Sequence, residues 1–157
     1  MLAFPLPWRE PLFQYSQQVG LDPYMVAALI RQESEFDPKA ISAANAYGLT
    51  QILPSTGREL SRRMRIRGFN AKMLLRPEFN LRLGTAYLKS QLDGFGGRWE
   101  PTLAAYNAGG TRVSEWLKRA EYREPAEFVE SIPFSETRNY VQVVLRNADL
   151  YRRLYRP

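Results

Sequence analysis

Apolar residues recur along the chain with the period of a helix, and Pro, Gly and Asp mark where the periodic segments begin or end. Asp22-Pro23 is one such start signal, because Asp caps a helix N-terminus and Pro suits its first position. The apolar periodicity and these boundary residues together predict helices at about residues 8–19, 23–34, 54–64, 77–92, 101–107, 111–118, 125–131 and 135–155. Strand-like alternation is nearly absent, and at most a minimal β ribbon is predicted near residues 47–52. The predicted fold class is therefore mainly α.

The composition bounds the architecture and the chemistry. With 157 residues, 45% hydrophobic and 24% charged, the chain is typical of one globular domain, which we predict over residues 1–157. It has no Cys and no His, which excludes disulfides, thiol catalysis, His-based triads and the usual zinc sites. We expect neither a metal nor a cofactor. The uncharged stretch 40–57 is rich in Ser, Asn, Gln and Pro, so no membrane-inserted segment is predicted.

Positive charge is concentrated in one segment. The formal net charge is +6, from 22 basic and 16 acidic residues. Residues 58–76 hold a single acid, Glu59, and these basic residues: Arg58, Arg62, Arg63, Arg65, Arg67, Lys72 and Arg76. Such a segment is either a solvated helix face and loop or a surface for an anionic polymer, namely nucleic acid, an anionic lipid surface or a polyanionic cell wall.

One carboxylate falls where the helical pattern calls for an apolar residue. In the predicted helix 23–34, Val26, Leu29 and Ile30 form the apolar stripe, and the next position on it is Glu33. At about 100° per residue, Glu33 lies within roughly 20° of Val26, whereas Glu35 lies about 180° away. Burial and the negative end of the helix dipole would favour a protonated Glu33, as a general acid requires. A structural ion pair with an Arg would give the same pattern.

Two uncharged polar stretches, 42–51 and 105–109, combine amide, hydroxyl, aromatic and small side chains. Amides and hydroxyls bond the substituents of a sugar ring, and an aromatic face covers its apolar side. The mixture therefore favours a neutral-sugar site. Ordinary turn chemistry around Asn45, Gly48 and Gly109 would produce similar stretches.

Together these segments resemble the catalytic domain of the soluble lytic transglycosylases of bacterial cell walls. The matching blocks, in chain order, are 28–40 (ALIRQESEFDPKA), 47–56 (YGLTQILPST), 80–88 (NLRLGTAYL), 104–109 (AAYNAG) and 128–140 (FVESIPFSETRNY). The resemblance covers about residues 5–152. It implies a lysozyme-like helical domain that acts on peptidoglycan glycan strands in the periplasm or cell envelope, as a monomer or with cell-envelope protein partners.

The resemblance also implies a mechanism with a single carboxylate, which here is Glu33. It would protonate the β-1,4 glycosidic oxygen between N-acetylmuramic acid and N-acetylglucosamine, and then deprotonate the muramic acid O6 hydroxyl, which closes a 1,6-anhydro ring without water. The substrate's N-acetyl group would stabilise the anomeric carbon. This differs from the glycosidases that use two carboxylates.

Further residues are implied by motif position to bind substrate or support the site: Ser34, Ser42, Gln51, Tyr106, Asn107, Glu130 and Tyr140. Ser34 would orient Glu33 or its helix end, and Tyr106 would bond or orient Glu33 through its hydroxyl. Glu130 would contact the muramic residue on the leaving side, and Tyr140 would lie against the groove.

Two positions depart from the family pattern. Thr50 stands where the family usually has Met, and it is expected to alter the floor of the groove in a way that leaves hydrolysis open. Asn45 stands where the family often has Gly, and Asn tolerates the left-handed backbone that the turn requires.

Three other functions remain open on the sequence. The same fold could deliver water instead of O6, as a muramidase similar to goose-type lysozyme does, although the block 128–140 favours the transglycosylase. A non-catalytic glycan-binding scaffold would have no need of Glu33 on the apolar stripe. A nucleic-acid binder built on residues 58–76 would leave the other motifs unexplained, so we expect no nucleic acid partner.

Overall fold

The computed structural model describes residues 4–119 and 124–156. In these ranges the chain forms eight α-helices and one 3₁₀ helix, in the order α1 (Arg9–Gln18), α2 (Pro23–Ser34), α3 (Pro54–Arg63), the 3₁₀ helix (Ala71–Leu75), α4 (Pro77–Gly94), α5 (Trp99–Ala108), α6 (Gly110–Lys118), α7 (Pro125–Ser131) and α8 (Ser135–Tyr155). The mainly α prediction is confirmed, and all eight predicted helices are present within two residues of their expected bounds. No helix in the described ranges has the length and hydropathy that a bilayer crossing requires.

Helix α2 begins and ends as the sequence predicts. The Asp22 side chain accepts a hydrogen bond from the backbone N–H of Tyr24 at 2.9 Å, and Pro23 occupies the first helical position. The helix stops after Ser34 because Glu35 and Phe36 both take left-handed backbone angles, with φ of 51° and 62°. The buried Phe36 side chain anchors this strained turn in the core.

The larger hydrophobic core surrounds α2. Every residue from Tyr24 to Ile30 is buried, and α2 makes its most extensive contacts with α8, which contributes Val141, Val144 and Ala148 to the same core. The sequence pattern predicts an apolar stripe on one side of α2, but residues 24–30 are buried on every side of the helix. Exposure begins in the last turn, where Gln32 is exposed and Glu33 is half-buried.

A smaller core lies between α3, the 3₁₀ helix and α4. It consists of Ile52, Leu60, Leu74 and Leu83, with Leu74 and Leu83 fully buried. The 3₁₀ helix that carries Leu74 was not predicted, because one short turn shows no helical period. The basic segment 58–76 contributes Leu60 and Leu74 to this core, while its Arg and Lys side chains are exposed.

The loop between α2 and α3 joins the two cores. Isolated antiparallel bridges pair Tyr47 with Ile41 and with Ile52, which confirms the minimal ribbon predicted near residues 47–52. Gly48 in this loop has φ +77°, and a Cβ there would collide with the carbonyl oxygen of Leu74 and the side-chain amide of Asn80. Only glycine fits this approach of the loop to the start of α4.

Candidate active site

Glu33 lies in the last turn of α2, half-buried at a groove with a volume of about 450 Å³. Glu33 is half-buried and Glu35 is exposed, as predicted, although Glu35 lies just beyond the end of α2 and its exposure does not follow from helical phase. The groove lies where the two cores meet. Tyr106 packs on the larger core and Tyr87 packs on the smaller one, and the centroids of their rings lie 5.6 Å apart. The groove lining consists of Glu33, Ser42, Ala44, Ala46, Gln51, Ile52, Leu53, Thr56, Tyr87, Tyr106, Asn107 and Glu136.

Burial perturbs the titration of Glu33. Loss of solvent raises the pKa of its carboxyl group to about 7, against an opposing hydrogen bond from the Tyr140 hydroxyl, which favours the charged form. A carboxyl group with this pKa exchanges its proton readily near neutral pH.

Within the described residues, no group of three or more His, Cys, Asp and Glu side chains is arranged to hold a metal ion.

Tyr140, not Tyr106, bonds the candidate acid. The Tyr140 hydroxyl donates to Oε2 of Glu33 at 3.1 Å, from a side chain buried in α8. The Tyr106 hydroxyl instead donates to the backbone carbonyl of Thr50 at 2.6 Å. The predicted bond from Tyr106 to Glu33 is therefore wrong in this structure. Tyr106 still lies in the field of Glu33: burial raises its pKa well above the ordinary value, and the nearby carboxylate adds to that effect.

Hydrogen bonds fix the loop that faces Glu33. The Ser34 hydroxyl donates to the carbonyl of Leu49 at 2.8 Å, which joins the end of α2 to this loop. The side-chain amide of Gln51 donates to the carbonyls of Ala40 at 3.1 Å and Gly48 at 3.0 Å. Gln51 itself has φ 55°, a left-handed conformation that costs about 1–3 kcal/mol and persists where surrounding bonds impose it. The sugar contact expected of Gln51 and the orienting role expected of Ser34 remain predictions.

The two departures from the family pattern have different consequences. Thr50 was expected in the groove floor, but its side chain is buried away from the groove, and its hydroxyl donates to Oδ1 of Asn80 at 2.6 Å. Gly84 makes room for it, because a Cβ at that position would collide with the Thr50 side chain. Asn45 adopts φ 65°, so the left-handed turn is retained, as predicted.

The remaining predicted residues are divided between the groove and the outer surface. Ser42 and Asn107 line the groove; the Ser42 hydroxyl accepts from the backbone N–H of Ala46, and Oδ1 of Asn107 accepts from the Thr137 hydroxyl. Glu130 is exposed on α7 and is not among the groove-lining residues, so its predicted contact with the sugar has no support from this geometry.

Glu136 is the second carboxylate of the groove, and the sequence reasoning missed it. It lies in the first turn of α8, four residues before Tyr140. Residues spaced i and i+4 share a helix face, so α8 presents both side chains on the side where Glu33 lies. The signal in the sequence that could have identified Glu136 is its i, i+4 spacing from Tyr140 on α8.

Comparison with known proteins agrees with this geometry. Residues 10–129 match the family described as "Transglycosylase SLT domain", and residues 131–156 match "Soluble lytic transglycosylase helical domain". The soluble lytic murein transglycosylase of Escherichia coli K12 is 40% identical over 151 residues, which are 95% of this chain but 23% of that protein.

Comparison with solved structures also identifies soluble lytic transglycosylases as similar proteins. The lytic transglycosylase Slt of Pseudomonas aeruginosa, solved as an inactive Glu-to-Gln mutant, superposes with a TM-score of 0.92 at 39% identity over 96% of this chain and 25% of that one. The 70 kDa soluble lytic transglycosylase of Escherichia coli superposes with a TM-score of 0.90, also at 39% identity, over 96% of this chain and 25% of that one. The chain thus spans about a quarter of these relatives, and it belongs to the transglycosylase SLT domain family.

Proposed function

We propose that this domain is a peptidoglycan lytic transglycosylase. It cleaves the β-1,4 bond between N-acetylmuramic acid and N-acetylglucosamine without consuming water, and it leaves a 1,6-anhydro ring on the muramic residue. Glu33 acts first as general acid and then as general base. The substrate places the action of the domain in the cell envelope.

In the first step, the protonated Glu33 carboxyl group gives its proton to the glycosidic oxygen. The bond from the anomeric carbon to that oxygen breaks, and the N-acetylglucosamine strand leaves with a free hydroxyl group. Positive charge develops on the anomeric carbon and is relieved by the carbonyl oxygen of the substrate's own N-acetyl group. A pKa of about 7 supports this step, because a large fraction of Glu33 is protonated at neutral pH.

In the second step, the Glu33 carboxylate takes the proton of the muramic acid O6 hydroxyl while O6 bonds to the anomeric carbon. The proton lost in the first step is thereby recovered, so the enzyme returns to its starting state with no water consumed. The Tyr140 hydroxyl supports the preceding acid step, because its hydrogen bond stabilises the charged carboxylate that this step leaves.

Other groove residues position the sugars. Asn107 and Ser42 offer an amide and a hydroxyl group toward the groove, and the exposed Glu136 offers a carboxylate that can accept bonds from sugar hydroxyls. We assign Glu136 to substrate binding rather than to proton transfer. It is exposed in the first turn of α8 and, within the described residues, makes no hydrogen bond like the one that joins Glu33 to the buried Tyr140.

One observation carries the proposal: a single carboxyl group with a pKa near 7 lies half-buried at the base of a polar and aromatic groove. A binding scaffold gains nothing from a buried carboxyl group in a hydrogen bond with a buried tyrosine, and burial of that group costs free energy. General acid–base chemistry, in contrast, requires such a group.

The test is mass spectrometry of the soluble products after incubation of this chain with purified peptidoglycan. Muropeptides one water lighter than hydrolysis products would demonstrate the anhydro ring. Muropeptides with reducing ends would show a muramidase instead, and the absence of products from a folded chain that still binds purified peptidoglycan would show a non-catalytic glycan-binding domain. Glu33→Gln in parallel identifies products that come from a contaminating enzyme.

A further inference from the structure

The basic segment 58–76 has no part in the proposed catalysis, because the lining of the Glu33 groove includes none of its Arg and Lys residues. Arg82, on the adjoining turns of α4, is exposed as well. Residues 58–82 hold eight basic residues and two acids, Glu59 and Glu78, which is a net charge of +6. The formal net charge of the whole chain is also +6, so this stretch carries the entire excess of positive charge.

Two of the eight cations are already paired. Glu59 accepts hydrogen bonds from Arg62 and Arg63, so these charges largely cancel. The other six basic side chains are exposed, and in the part of the chain that the structure describes no ion pair joins an acid to any of them. These six residues form what we call the cationic surface: Arg58, Arg65, Arg67, Lys72, Arg76 and Arg82. Even with the exposed Glu78 counted against it, this surface is strongly positive.

A pair of stacked phenylalanines underlies the cationic surface. The ring centroids of Phe69 and Phe79 lie 6.3 Å apart, and both rings pack half-buried on the smaller core. The Arg58 guanidinium lies 5.7 Å from the centroid of the Phe69 ring. Arg82 follows Phe79 by three residues on α4, so the two share a helix face. Cations from α3 and α4 thus meet over one aromatic pair.

The turn after α3 adds two further cations to this surface. The chain reverses there, with Arg65 at φ 58° and the backbone N–H of Ile66 bonded to the carbonyl of Ser61 at 2.8 Å. The Ile66 side chain is half-buried against the smaller core, while Arg65 and Arg67 on either side of it are exposed. The reversal therefore holds an apolar side chain inward and two guanidinium groups outward.

The chemistry of the cationic surface favours a sheet of phosphates over a single strand. Guanidinium groups bond phosphate oxygens in pairs, and here they are spread over α3, the turn, the 3₁₀ helix and the start of α4. Single-stranded nucleic acid binds by stacking its bases on exposed aromatic rings. The large apolar side chains exposed in the described ranges all lie elsewhere: Ile41, Leu53, Phe134 and Leu154.

We propose that the cationic surface docks this domain on an anionic phospholipid bilayer, with its guanidinium groups bonding the headgroup phosphates. Clusters of this size bind anionic leaflets electrostatically, without insertion into the hydrocarbon. The proposal does not rest on the catalytic role of Glu33. Because the groove lining includes none of the six cations, a docked domain keeps its groove open to a glycan strand.

The test is co-sedimentation of the chain with vesicles of phosphatidylcholine that contain about 30% phosphatidylglycerol, and with vesicles of phosphatidylcholine alone. The surface variant replaces three cations of the surface: Arg65→Gln, Arg67→Gln and Arg76→Gln. The control variant removes the same charge from three exposed arginines elsewhere, for which the described residues likewise provide no ion pair: Arg119→Gln, Arg146→Gln and Arg153→Gln.

At about 0.1 M salt, charges more than about 10 Å from the bilayer are screened, so the position of a lost charge decides its effect. We expect the wild-type chain to bind the anionic vesicles and not the neutral ones. The surface variant should bind at least about tenfold more weakly, and the control variant less than about threefold more weakly. Circular dichroism verifies that both variants are folded.

Several results would overturn the proposal. These are failure of the wild-type chain to bind anionic vesicles, equal binding to neutral vesicles, and an equal loss in the two variants. Binding by the wild-type chain that persists at about 0.5 M salt would also exclude an electrostatic contact, and this measurement needs no variant. Binding of duplex DNA and of soluble peptide-bearing glycan strands is measured in parallel. A larger loss on either polymer than on vesicles in the surface variant would assign the surface to that polymer instead.

Discussion

The hydroxyl of Tyr140 lies 3.1 Å from Oε2 of Glu33, although 107 residues separate the two along the chain. The bond is made inside the larger core, where α8 packs on α2. Burial raises the pKa of Glu33 and the donated hydrogen bond lowers it, and the balance leaves the pKa at about 7. Tyr140 thus limits how far burial can suppress the charged form of the candidate acid.

Tyr140→Phe is expected to raise the pKa of Glu33 further, because the only change is the loss of the donor that favours the charged carboxylate. The descending limb of the pH profile of kcat should move to higher pH. The value of kcat at pH 6 should fall several-fold, because Glu33 is then a weaker acid and its proton transfer to the glycosidic oxygen leaves a less stable carboxylate. Tyr155→Phe is the matched control, as it removes a hydroxyl from the same helix that donates to the Phe4 carbonyl. An unshifted pH profile for Tyr140→Phe would contradict the role assigned to this bond.

Glu33→Gln is expected to reduce the release of anhydro-muropeptides by at least about a hundredfold, because an amide neither donates a catalytic proton nor accepts one. The fold should survive, since the amide oxygen can still accept the Tyr140 hydrogen bond. Turnover of peptidoglycan and circular dichroism check the two statements. Glu35→Gln, two residues away and exposed, is expected to change activity little, and an equal loss there would contradict the assignment of Glu33.

Local signals in the sequence were sufficient to predict the helices. Asp22, Pro23, Pro54 and Pro77 act on the backbone within one or two residues, so the helix starts follow from chemistry that the sequence displays directly. The burial of Glu33 also followed, because helical phase is a local property. The 3₁₀ helix 71–75 escaped prediction, since its stability comes from the placement of Leu74 in the smaller core.

Contacts between distant segments were harder to predict. Which tyrosine reaches Glu33 depends on how α8 and α5 pack against α2, and neither helix carries that information in its own pattern. The same holds for Thr50, whose side chain faces Asn80 and Gly84 because α4 packs against the loop there. Motif position indicated that these residues belong to the site, but it did not indicate which atoms meet.

Asn80→Ala is expected to destabilise the loop that faces Glu33. The buried Asn80 side chain accepts from the backbone N–H of Thr50 at 2.9 Å and donates to the carbonyls of Tyr47 and Leu74, both at 2.9 Å. Truncation leaves these groups buried without a partner, so the free energy of unfolding should fall by about 3 kcal/mol, as measured by urea denaturation. Thr50→Val, which removes one hydroxyl, should cost about 1 kcal/mol; an equal cost for both variants would contradict the central role of Asn80.

The raised pKa of Glu33 predicts a pH-dependent cost in stability. The unfolded carboxyl group has a pKa of 4.5 and the folded one of about 7, so between these values the folded state binds more protons than the unfolded state. The free energy of unfolding should therefore decrease as the pH rises from 4.5 to 7, by up to about 3 kcal/mol from this group. Glu33→Gln removes the titration, so its stability relative to wild type should be greater at pH 8 than at pH 4. Thermal unfolding of both proteins at these pH values measures the difference, and a pH-independent difference would show that Glu33 titrates alike in both states.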